Sequence, residues 1–188
     1  MDLVSIPANP VPEGAIVGTL KTKDGVTIRF ARWHPPPGRK GTVVVMPGRA
    51  EFIEKYFETV RELRARGFAV VVLDWRGQGG SDRLLPDRFR GHIRSFYDYT
   101  ADLDQFFEEI VLPDCRGPYY VLAHSTGALI ALLGSPSMVN RVRRMVLLTP
   151  FFGYPGFPLS MLSVRRIASA LFYSGLGTRY GVGGPRPK

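Results

Sequence analysis

No aspartate or glutamate follows Asp114 in this 188-residue chain. Residues 1–114 hold all 16 acidic residues and 16 of the 25 Lys and Arg, so that part balances, and the net charge of +9 resides in residues 115–188. Such one-sided charge suits either an anionic surface or acidic partners lying beyond Lys188. The arginines are scattered and no reader motif accompanies them, which argues against a nucleic-acid partner. Cysteine is nearly absent too. Cys115 stands alone, so no internal disulfide can form, and a reducing, cytoplasmic setting fits. The opening MDLVSIPANPVPEG has neither a basic nor an apolar signal-peptide region, so no secretory signal is expected. Two stretches, 118–140 and 145–164, lack charge over a membrane-spanning length. Both are broken by proline (Pro118 and Pro136; Pro150, Pro155 and Pro158), and a bilayer does not readily accept such irregular backbone. What is present is 45% hydrophobic residues with 12 Phe and 8 Tyr, which excludes a disordered chain and suffices for one sizeable core.

Local pattern places the elements. Residues 1–15 are polar and Pro-rich and read as an arm. Lys23-Asp24-Gly25 between alternating runs at 16–22 and 26–33 predicts an edge hairpin, its second strand turning its arginines to solvent. The apolar runs at 42–46 and 68–73 predict strands buried on both faces. A helix over 53–66 joins them, with Ile53, Tyr56, Phe57, Val60 and Leu63 on one face. A second helix is expected over 95–112, with Asp98, Asp102 and Asp104 on its solvated side. Residues 119–122 form a further strand, a break falls at Ser135-Pro136-Ser137, and 142–149 contain another strand. Strands alternating with helices predict an α/β fold with a mainly parallel sheet and helices on both faces. After Pro150 comes an aromatic, Gly- and Pro-broken segment, 151–157. A helix is expected within 158–176, and 181–188 have linker composition.

One junction organises the rest. Residues 119–122 turn at once into the apolar helix 128–133 through Ala123-His124-Ser125-Thr126-Gly127. Small residues at Ala123 and Gly127, two positions either side of Ser125, let the chains pass at a sharp bend. This is the G-x-S-x-G nucleophile elbow with Ala in the first place. The bend lifts the Ser125 hydroxyl from the sheet and sets the N–H groups that follow at a helix N-terminus. On the elbow alone, a plain helix N-cap serine remains open.

Three segments fall at the ends of the expected parallel strands: PGRAE at 47–51, DWRGQGGSD at 74–82 and AHSTG at 123–127. With GHIRSFYDYTADL at 91–103, they resemble the α/β-hydrolase family, and within it the lysophospholipase and monoacylglycerol-lipase-like serine hydrolases. PGRAEFIEKY at 47–56 is similar to the lysophospholipase version of that turn. The resemblance implies that Ser125 attacks an ester carbonyl while the backbone N–H groups of Arg49 and Thr126 hold the oxyanion. Ala123, His124 and Gly127 shape the elbow. No cofactor or metal is called for. The implied partner is a small lipid or ester, with Arg165 and Arg166 making weak contact with an anionic membrane surface, peripheral at the inner face. Residues 74–81 are expected to form a structural turn.

In this family the triad runs Ser, then Asp or Glu, then His along the chain. After Ser125 there is no Asp, Glu or His. His34 adjoins a proline break, His92 is expected to be structural, and His124, next to Ser125 in a strand, should point to the opposite face. The expectation is therefore an α/β-hydrolase fold interrupted after the start of the lid, with core over 1–150 and lid over 151–188. Such a chain should be inactive on its own for want of a general base. An aminopeptidase or thioesterase on the same fold, or a non-catalytic interaction protein, stays open, because fold does not fix substrate.

Overall fold

The computed structural model describes residues 2–35, 40–153 and 160–178. One sheet carries six strands, β1 (Ala15–Lys21), β2 (Thr27–Trp33), β3 (Thr42–Met46), β4 (Ala69–Leu73), β5 (Tyr119–His124) and β6 (Val142–Leu148). Their order is β1-β2-β4-β3-β5-β6. β1 pairs with β2, and β2 with β4, antiparallel, while β4, β3, β5 and β6 run parallel. The hairpin closes where Asp24-Gly25 predicts. Gly25 takes φ 86, and the Thr22 N–H donates to the Val26 carbonyl at 2.8 Å.

Alternation along the strands builds two cores. Val44, Met46, Val71, Leu73, Val121 and Ala123 face helices α2 (Phe96–Phe106) and α4 (Thr126–Leu133). Val43, Val45, Val70 and Val72 face the other way, onto Ile53, Phe57 and Val60 of α1 (Phe57–Ala65) and the 3-10 turn Ile53–Tyr56 that leads into it. Helices thus cover both faces. α2 starts at a capping box. The Ser95 hydroxyl accepts from the Tyr97 N–H, and the Asp98 carboxylate accepts from the Ser95 N–H. The single helix expected over 95–112 instead widens into a π-helical turn, Phe107–Val111, before the short α3 (Leu112–Asp114). The expected break at Ser135-Pro136-Ser137 is itself one turn, α5 (Ser135–Met138), whose first turn accommodates proline because no N–H is needed there. α6 spans Met161–Tyr173, its described side chains largely exposed. Residues 154–159, with the aromatic segment's end and the expected start of that helix, and residues 179–188, with the linker-like tail, lie outside the described residues.

Two expectations about charge are overturned. Arg29 does not see solvent: it is 5% exposed and bridges Asp74 and Glu54, with Nη1 also donating to the Asp2 carbonyl. The turn that leads into α1 and the N-terminal arm together cover that face of β2. The arm is tied down there, the Val4 N–H donating to Glu54 Oε1 and Asn9 Nδ2 to the Glu54 carbonyl. Asp102 is likewise not solvated. It is 1% exposed and pairs with Arg76 from the loop after β4. Asp104 receives the Ser137 hydroxyl.

Candidate active site

After β3 the chain adds β4 on one side of it and then β5 on the other. That reversal creates a crevice at the C-terminal ends of β3 and β5, where open α/β sheets place their ligands. The structure brings residues 47–51 and the elbow together there. Ser125 follows the last residue of β5 with φ 50 and ψ −114 and is the N-cap of α4. A non-glycine residue in that region is strained by about 1–3 kcal/mol, and such strain clusters at functional sites. Ala50 (φ 57) and Thr149 (φ 42) are the other non-glycine residues with positive φ among those described, and they follow β3 and β6. All three thus lie at one edge of the sheet. The Ser125 N–H donates to the Leu148 carbonyl at 2.9 Å, and its own carbonyl accepts from Leu129 and Phe151, which fixes the bend.

Close approach explains the small residues. A Cβ at Gly127 would collide with the carbonyl oxygens of Met46 and Pro47. Ala123 is fully buried against the α2 and α4 side. At Gly48 a Cβ would sit 2.9 Å from Glu51 Oε2, 3.0 Å from His124 Nδ1 and 3.2 Å from Ser125 Cβ. The turn after β3 therefore rests directly on the elbow. Within that turn, the Gly48 N–H donates to Glu51 Oε2 at 2.6 Å and the Ala50 N–H to Gln78 Oε1. The N–H of Arg49 lies between these two engaged groups. That of Thr126, a buried residue, begins α4.

Sequence reasoning missed the carboxylate at the centre. Glu51 Oε2 also accepts the Tyr56 hydroxyl at 2.6 Å and faces His124 Nδ1 at 3.0 Å. Burial works to raise the Glu51 pKa, but these donors outweigh it and hold the value at about 2. Burial and the adjacent carboxylate push the Tyr56 hydroxyl up. His124 therefore meets the turn after β3 at Glu51. Both groups lie beside Gly48. The only prior signal was the place of Glu51 in PGRAEFIEKY, which named no role for it. His34 is exposed at the end of β2, and His92 packs its backbone against Gly77.

The segment 74–82 ties this edge together. The Asp74 carboxylate accepts the N–H groups of Ile53 and Gly80 and the Arg29 guanidinium, and Trp75 Nε1 donates to the Pro47 carbonyl. Among the described residues no group of three or more His, Cys, Asp or Glu is placed to hold a metal ion. No described helix is long and apolar enough to cross a membrane.

Comparison with known proteins adds the following. The profile of a family described as serine aminopeptidase, S33, matches residues 37–179. Lysophospholipase L2 of Escherichia coli K12 is 38% identical over 130 residues, which is 69% of this chain and 38% of that protein. Human monoglyceride lipase is 25% identical over 148 residues, covering 78% of this chain and 45% of the lipase. The chain spans less than half the length of these curated relatives. Among solved structures, a thioesterase domain from the curacin biosynthetic pathway superposes with a TM-score of 0.64 at 21% identity, covering 90% of this chain and 57% of that one. An epoxide hydrolase from Vigna radiata gives 0.58 at 17% identity, over 87% and 49%. At that identity the likeness is one of fold, shared by enzymes of different chemistry.

Proposed function

Because the chain belongs to the serine aminopeptidase S33 family of α/β hydrolases, we propose that it carries the nucleophile and oxyanion hole of a carboxylic-ester hydrolase of lysophospholipase or monoacylglycerol-lipase type. The observation that supports this is the strained Ser125 backbone, φ 50 and ψ −114, at a strand–helix junction lying against Gly48. In this reading Ser125 Oγ attacks the ester carbonyl. The developing oxyanion accepts hydrogen bonds from the Arg49 and Thr126 N–H groups, and Gly48, lacking a side chain, lets the turn come that close. Each such donor is worth about 10²–10³ in rate. The alcohol leaves, and water then resolves the acyl-enzyme.

A serine hydroxyl also needs a general base. Residues 126–188 hold no Asp, Glu or His, and His124 Nδ1 faces Glu51. We therefore expect the 188-residue chain alone to cleave a short-chain aryl ester no faster than its Ser125→Ala variant. The product of the chain's own gene is expected to cleave a lysophospholipid or monoacylglycerol in a Ser125-dependent way. Turnover by that product which survives Ser125→Ala unchanged would count against the reading. The description of the family favours one second reading, an aminopeptidase, which an aminoacyl nitroanilide assayed beside the lipids would reveal.

The proposal extends to residues 151–188 as the start of a lid. It includes a cytoplasmic protein in peripheral contact with the inner face of the membrane. Leu162, Ile167 and Phe172 exposed beside Arg165 and Arg166 on α6 support that contact, and the single half-buried thiol of Cys115 fits the compartment.

A further inference from the structure

A cavity of about 770 Å³ opens beside the turn after β3, lined by Arg49 and Ala50 but not by Ser125. The arm, the loop after β4 and the segment leading into α1 enclose it. Ile6, Phe52 and Phe89 line it with apolar surface and are 52%, 41% and 83% exposed. Such exposure of large apolar side chains around one concavity marks a site of contact. Its charged lining is Arg29, Arg49, Glu54, Lys55, Arg83 and Arg88, of which Arg29 pairs with Glu54 and Lys55 with Glu51.

The carboxylates nearby are committed elsewhere. Both oxygens of Glu54 receive Arg29, each at 2.9 Å, Asp87 lies 3.0 Å from Arg90, and Glu51 receives Tyr56 and the Gly48 N–H. Among the described residues none of Arg49, Arg83 and Arg88 has a carboxylate partner. Arg83 is held by neutral acceptors instead, the carbonyl oxygens of Gly79, Ser81 and Arg88. Those bonds fix the guanidinium without cancelling its charge. Burial and then the neighbouring Arg88 charge lower the pKa of Arg83, outweighing the Asp74 carboxylate, which acts to raise it. A concavity with cations that lack a carboxylate partner, one of them held in place, and with apolar walls suits an oxyanion that carries a hydrocarbon chain.

We propose that this cavity binds the anionic head group, phosphate or carboxylate, of a single-chain amphiphile, whose chain lies against Ile6, Phe52 and Phe89. The site adjoins the elbow through Arg49 but is not lined by Ser125 and needs no turnover, so it goes beyond the hydrolase reading and can fail independently of it.

Calorimetric titration of the 188-residue chain with dodecyl phosphate below its micellar concentration tests the proposal. Saturable binding is expected, with dodecyl maltoside and inorganic phosphate each at least about ten-fold weaker, since each lacks one of the two contacts. Arg88→Gln and Phe89→Ser change exposed side chains and are expected to fold with an unaltered circular-dichroism melt. Each should weaken dodecyl phosphate about ten-fold, the effect of one charge-assisted bond or one buried ring. Equal affinity for the maltoside would reduce the site to an apolar groove, and equal affinity for inorganic phosphate to a bare anion patch. Either result, or variants that bind as the parent does, would overturn the proposal. Loss of binding in Ser125→Ala would also overturn it, by moving the ligand to the elbow.

Discussion

Two residues, Glu51 and Gly127, determine whether the turn and the elbow can meet. Glu51 serves three neighbours through one carboxylate oxygen. Glu51→Gln keeps a carbonyl acceptor but loses the charge, and is expected to cost about 1–2 kcal/mol in urea unfolding at neutral pH. The pH dependence follows from the lowered pKa. The ordinary value is 4.5 and the folded value about 2, so between them the unfolded chain binds the extra proton. The contribution of Glu51 is therefore complete above about pH 4.5 and drains as the pH falls toward about 2. The variant should lose that part of the acid limb, and an identical acid limb in parent and variant would refute the assignment. Gly127 is constrained by space. Gly127→Ala drives a methyl group into the carbonyls of Met46 and Pro47, and overpacking of that kind costs about 1–3 kcal/mol or more. A variant within about 0.5 kcal/mol of the parent would show that the strands give way easily.

Between elements, Arg76 plays the part that Glu51 plays within the turn. Its guanidinium donates to Asp102 on α2, from Nε at 2.6 Å, and to Asp24 in the β1–β2 turn, from Nη1 at 2.7 Å. One side chain thus joins the loop after β4, a helix and the edge hairpin. The Arg76 hydrogen bonds hold the Asp24 carboxyl well below its usual range. Asp102→Ala leaves Arg76 buried with only the half-exposed Asp24 as partner. Breaking a buried pair costs about 3–5 kcal/mol, so the midpoint of urea unfolding should fall accordingly. A loss under about 1 kcal/mol would mean that Asp24 alone suffices.

For the whole molecule, β6 is the feature that matters. Met145 and Leu147 pack against the α2 and α4 side, while Val146 and Leu148, alternating with them, are 54% and 47% exposed. Among the described residues no strand pairs with the outer edge of β6. An unpaired edge with apolar side chains is a template for strand addition. The 188-residue chain should therefore self-associate with rising concentration in sedimentation velocity, and Val146→Lys with Leu148→Lys should suppress this. A parent that stays monomeric at every concentration would show the edge to be inert.

Period-2 and period-3.6 patterning, together with Asp24-Gly25 and the small residues around Ser125, determined the α/β class, the hairpin and the junction at the elbow. These are local properties, set by which backbone angles and which face each residue can adopt. The meeting of residues 47–51 with the elbow was legible only through resemblance, because the strand order that makes β3 and β5 neighbours is not written in either segment. Arg29 and Asp102 were misread for the same reason. A charge on an amphipathic element reads as solvated until another element covers it, and only the packed chain shows that Glu54 and Arg76 lie opposite. The cavity beside Arg49 belongs to tertiary structure as well. Its walls come from the arm, the turn after β3 and the loop after β4, and long-range packing alone brings those surfaces together.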